Sequence, residues 1–139
     1  MSASDPGMAQ QIARATVAFE QHRTGHAPRS VTVVLGNETV VVTLEGALSP
    51  AELALSRTAD GAAQVQELHR RIFLAAAGPL RDEIQRITGA GVREAAVEVE
   101  PGTAAVVQVF PSGTTVQVFL LGGSVAADCW SGTDPGGPA

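Results

Sequence analysis

The chain has 139 residues, 45% of them apolar, enough for one domain with one core and too apolar for general disorder. Its formal charge is −5; all nine basic residues, every one an Arg, fall within residues 1–93, whereas residues 94–139 carry five acidic residues and no basic one. That distribution weighs against a broad nucleic-acid footprint and against electrostatic docking on anionic lipid, while leaving room for a local Arg patch on the helices. The single cysteine, Cys129, excludes an internal disulfide and a multi-cysteine metal site.

The first residues show no basic n-region followed by an apolar h-region, so no secretory signal is read there. Pro101 to Ala127 contains no charged residue, which raises the question of a membrane span. Gln108, Pro111-Ser112-Gly113-Thr114 and Gln117 interrupt that stretch, and its pieces alternate with period two. Buried strands fit that texture better than a transmembrane helix, and the expected location is the cytoplasm.

Residues 1–7 read as a flexible leader, 8–122 as a single domain, and 123–139 as a flexible Gly/Pro-rich tail. Met8, Ile12, Ala15 and Phe19 share a helical face, predicting a first helix from Met8 to about Gln21. Gly25 and Pro28 mark a turn after it. Val31, Val33 and Leu35 then alternate, as do Val40, Val42 and Leu44, and Gly36-Asn37 between them is a two-residue hairpin signal.

Ser49-Pro50-Ala51-Glu52 is a helix start, with a Ser N-cap, a Pro in the first turn and a Glu positioned to reach back to the cap. Thr58 or Asp60 marks a second start after a break. From there Val65, Leu68, Ile72, Ala76, Leu80, Ile84 and Ile87 form an apolar stripe, ended by Gly89. Pro79 predicts a kink inside this helix, not a stop. Three further strands are expected at 94–100, 104–110 and 115–121. The order α-β-β-α-α-β-β-β predicts an α+β, two-layer sandwich: an antiparallel sheet of about five strands with helices packed on one face.

Several of these pieces, taken in order, resemble the small bacterial MpsC domain, formerly of unknown function. Gly25-His26-Ala27-Pro28 falls where that family carries a Gly-basic-Gly-Pro turn. Val40 to Glu52 resembles its strand-to-helix junction, Thr88-Gly89-Ala90-Gly91-Val92 its helix-to-strand turn, and Val116 to Leu121 its closing strand. Arg70 or Arg71 stands where a helical Arg is usual. His26 and Ala27 depart from the family's turn, Gly78-Pro79 interrupts a normally regular helix, and 104–110 suggests an added strand. The resemblance implies an accessory protein of a Na⁺-coupled, membrane-potential-generating or bicarbonate uptake system, with no established catalysis and no cofactor.

Other residue patterns are weaker as sites. His22 and His26 have i, i+4 spacing, but Gly25 and Pro28 break the helix there and no third ligand is near, so turn residues are the simpler reading. Cys129 with His69 would need a nucleophile held in place, which a Gly-rich tail does not provide. Glu94, Glu98 and Glu100 share a strand face and read as its wet side. Arg70 and Arg71 are the candidate interaction site, since a guanidinium fork grips carboxylate or phosphate. Gly25, Pro28, Ser49, Glu52 and Gly89 are expected to shape turns and caps.

Three functions remain, in rank: a non-enzymatic accessory domain working by protein contact, a small regulatory or nucleic-acid-binding module, and last a small-molecule enzyme. The expected partner is a protein, with a membrane ion or bicarbonate transporter implied by the resemblance. Val31–Leu35 or Val116–Leu121 at a sheet edge are candidates to pair with a second copy.

Overall fold

The computed structural model describes residues 7–92, 105–109 and 112–135. Its elements are α1 (Met8–Thr24), β1 (Ser30–Glu45), α2 (Pro50–Leu55), α3 (Ala59–Thr88), β2 (Ala105–Val109) and β3 (Thr115–Gly132). The chain is α+β, its helices accompanied by an antiparallel sheet in the order β1-β3-β2.

Among the described residues the sheet has three strands, not about five. One cause is the segment around Gly36-Asn37, where the expected hairpin is replaced by a single 16-residue strand. Buried positions on β1 are odd up to Leu35 and even from Val40 onward, so the chain must slip by one residue in between to keep one face inward. A bulge does this as well as a turn does. Asn37 takes a left-handed φ of 52°, and from Leu35 to Thr39 four steps along β1 face eight along β3, Asp128 to Leu120. Both halves of β1 find their partner on one long strand, which leaves no reason to fold back. The strand expected at 94–100 lies outside the described residues.

The second correction is β3 itself. Residues 123–132, expected as part of a flexible tail, continue this strand past Gly122-Gly123 and pair with β1 as far as Val31 opposite Gly132. Trp130 packs against the main core, and Asp128 Oδ2 accepts from the Ala9 N–H at 3.0 Å. Gly7, which precedes α1, has no side chain to cap it, so a carboxylate from the far end of the sheet satisfies one of the helix's open donors. Of the expected leader, residues 1–6 lie outside the described residues.

Local chemistry explains the helices. Ser49 and Glu52 form a reciprocal capping box, the Ser49 hydroxyl accepting from the Glu52 N–H and a Glu52 carboxylate oxygen accepting from the Ser49 N–H. Thr58 caps α3 through the Gly61 N–H. Gly25 and Gly89 end α1 and α3 in the left-handed conformation, φ 74° and 79°. The longer helix runs on through Pro79, and Gly78 before it lacks the Cβ that would crowd the proline ring.

One face of the sheet carries the core. Val33, Val40 and Val42 of β1 with Phe119 and Leu121 of β3 meet Ile12 and Ala13 of α1 and Phe73, Leu80 and Ile84 of α3. Phe73 and Phe119 touch with ring centroids 5.6 Å apart. On α3 the buried line is Val65, His69, Phe73, Leu80 and Ile84, so Leu68, expected on the stripe, is instead 48% exposed and His69 takes the inward place. No described helix is long and apolar enough to cross a membrane.

Candidate functional site: a buried carboxylate–imidazole cluster

Four elements send polar side chains into one part of this apolar interior. Glu20 comes from the last turns of α1, Glu52 from the first turn of α2, His69 from α3 and Gln117 from β3. Glu20 and His69 are each only 4% exposed and Gln117 is 1% exposed. Their placement follows from ordinary periodicity. Glu20 stands four residues beyond Thr16, itself buried on the same line as Ile12, and Gln117 alternates with Phe119 and Leu121 on the inner face of β3.

The His69 Nε2 and Glu52 Oε2 atoms are 2.6 Å apart, while the other Glu52 oxygen serves the helix cap. One carboxylate therefore ties the start of α2 to the middle of α3. Burial pushes Glu52 upward, but the Ser49 N–H, the His69 hydrogen bond and the His69 charge outweigh it and hold the carboxyl below its ordinary range. Glu20 goes the other way. Burial raises it, the neighbouring Glu52 charge adds to the rise, and His69 and a hydrogen bond from Gln117 offset only part. The imidazole thus serves two carboxylates with opposite preferences for a proton. Thr115 Oγ1 and Gln117 Oε1, both buried, have no hydrogen-bond partner among the described residues, so polar capacity is left over beside the pair.

Such an arrangement can hold a proton out of water and couple it to packing. A carboxyl raised in the folded state contributes stability below its unfolded value of 4.5 and loses it as pH rises through the folded value. Glu52, shifted the other way, contributes above 4.5 and loses that contribution in acid. Urea midpoints taken from pH 5 upward, compared between the wild type and Glu20→Gln, therefore report on Glu20. The wild type is expected to weaken with rising pH, and Glu20→Gln to flatten that decline and become the more stable protein at pH 8. Equal slopes for the two proteins would sink this assignment.

Apart from Glu52 and His69, the residues singled out by pattern fall elsewhere. Arg70 and Arg71 both reach Glu67 Oε2 within their own helix, at 3.4 and 2.9 Å. The two guanidinium groups therefore share a carboxylate already, at an exposed position where such pairs contribute little to stability. His22 is exposed, and His26 Nε2 lies 3.0 Å from the Gly46 carbonyl oxygen, pinning the turn to the end of β1. Among the described residues no group of three His, Cys, Asp or Glu side chains is placed to hold a metal ion. Cys129 is exposed on β3 opposite Val34, away from the interior position of His69. Glu94, Glu98 and Glu100 lie outside the described residues.

Glu20 and Gln117 carried no motif. The signal available was a charged or amide side chain standing in phase with apolar ones, Ile12-Thr16-Glu20 on a helix and Gln117-Phe119-Leu121 on a strand. Neither a curated protein nor a solved structure matches the chain. The family profile described as Na⁺-translocating membrane potential-generating system (MpsC) does match, over residues 6–111. It takes in Glu20, Glu52 and His69 and stops before β3, so the Val116–Leu121 segment that resembles the family's closing strand falls beyond the match. With well over half its residues matched, this chain belongs to the MpsC family.

Proposed function

We propose that this protein is a non-enzymatic accessory component, acting in the cytoplasm by protein contact beside a Na⁺-coupled membrane-potential-generating or bicarbonate uptake system. Membership of the MpsC family is the observation that carries this reading. The Arg70/Arg71 face of α3, where Leu68 is exposed beside the two guanidinium groups, is the candidate surface for a membrane partner. Capture of the tagged protein from its native bacterium, with membranes solubilised, tests it by mass spectrometry. Recovery of a multi-spanning ion or bicarbonate transporter supports the reading, and recovery of soluble proteins or nucleic acid alone overturns it.

A second copy is part of the same proposal. Of the two segments considered for pairing, Val116–Leu121 is excluded, because β3 lies between β1 and β2. The outer side of β1, containing Val31–Leu35, faces no other described strand and offers its backbone N–H and C=O groups for pairing. Val34, 51% exposed on that strand, is the position to alter. Light scattering is expected to give a dimer for the wild type at tens of micromolar protein and a monomer for Val34→Lys, since a lysine on an edge blocks strand addition. A wild type that stays monomeric removes the edge from the proposal.

A further inference from the structure

Between α1 and α3 lies an open groove of about 750 Å³. Its floor is apolar, formed by the buried rings and branches of Phe19 and Leu80 with Ala15, Ala18 and Pro79. Alanines on α1 leave the room that larger side chains would fill. The rim is cationic. Arg14, His22, Arg23 and Arg86 are exposed along it, and among the described residues Glu83 is the only acidic side chain lining the groove. Counting three Arg against one Glu leaves two positive charges in a chain whose total is −5.

The arginines are not used up by the fold. Arg14 donates its Nε–H to the Pro135 carbonyl at 2.7 Å, which fixes the side chain without cancelling its charge. Arg23 makes no ion pair with a described residue. Arg86 pairs with Glu83 at 2.8 Å, an exposed contact that an incoming anion can share or displace. A concave, mostly apolar space of this size with a few convergent charged groups has the dimensions of a small-molecule site.

We propose that this groove binds a long-chain carboxylate, an alkyl chain lying on the Phe19–Leu80 floor with its carboxylate held by the rim arginines. An apolar floor selects the tail by burial, and the guanidinium fork selects a planar carboxylate by paired hydrogen bonds. The apolar lining is short, five side chains from two helices, which matches one alkyl chain with a single charged end. The inference is independent of any protein partner, since it concerns helix surfaces away from both the β1 edge and the Arg70/Arg71 face.

Calorimetric titration of the full chain with octanoate, decanoate and decanol tests it. Decanoate is expected to saturate a single site, octanoate to bind more weakly by about fourfold for each methylene lost, and decanol more weakly than decanoate by at least tenfold. Arg23→Gln combined with Arg86→Gln should weaken decanoate at least tenfold. Ala18→Trp, at an exposed helical position, should abolish binding by filling the groove while circular dichroism stays that of the wild type. No binding of decanoate at millimolar concentration overturns the proposal, as does equal affinity for decanol or unaltered binding by both variants. Binding of an acidic amphipathic peptide or of anionic vesicles in place of free decanoate also overturns it.

Discussion

Phe119→Ala is expected to lower the unfolding free energy by about 4 kcal/mol, the range found for emptying a buried phenylalanine site. Phe119 is fully buried on β3, between Val40 of β1 and Ala105 of β2, and its ring meets Phe73 of α3. One side chain therefore ties the sheet's central strand to the long helix. Truncation removes the transfer energy of the ring and leaves a cavity bordered by β-structure, which relaxes less readily than a loop. The urea midpoint should fall sharply with little change in the slope of the transition. A loss below about 1.5 kcal/mol would mean that the site collapses freely and that the core is not organised on this ring.

Gly61→Ala is expected to cost about half as much, for a steric reason that composition alone does not show. A Cβ at Gly61 would lie 1.8 Å from the Leu55 carbonyl oxygen and 2.8 Å from its carbon, both backbone atoms at the end of α2. Neither can rotate away, so α2 and the start of α3 must separate. Helix propensity favours Ala over Gly by about 1 kcal/mol, and overpacking against fixed atoms typically costs about 1–3 kcal/mol and occasionally more. The clash wins, with a net loss of about 2 kcal/mol expected in urea unfolding. The same shift draws Glu52 away from His69, so the Gly61→Ala protein should also show a displaced His69 imidazole resonance in NMR. An unchanged resonance with unchanged stability would contradict the close approach of the two helices.

Local signals on the helices were legible because their physics is local. Ser49-Pro50-Ala51-Glu52 states a capping box within four residues, and the break before Ala59 separates two helices that the structure also separates. The sheet was less legible because its partners are distant. Residues 31–35 and 40–44 alternate like a hairpin, yet the same shift of phase serves a bulge, and which occurs depends on a strand more than seventy residues later in the sequence. Gly122-Gly123 reads as an ending until β1 is present to pair with the residues beyond it. The polar cluster was half visible. Glu52 stood out as a cap, but its second role needed the three-dimensional approach of His69, and Glu20 was hidden as one more charge on an amphipathic helix.

The position of β3 in the sheet has a consequence for synthesis. β1 and β2 touch only through β3, which leaves the ribosome after both of them. The N-terminal end of α1 likewise waits for Asp128, separated from Ala9 by 119 residues. Until then the sixteen residues of β1 have no strand to pair with on either side. Contacts this far apart in sequence slow folding and prolong exposure of such edges. The capacity of the chain to bury its core therefore arrives late, almost all at once, with a single strand.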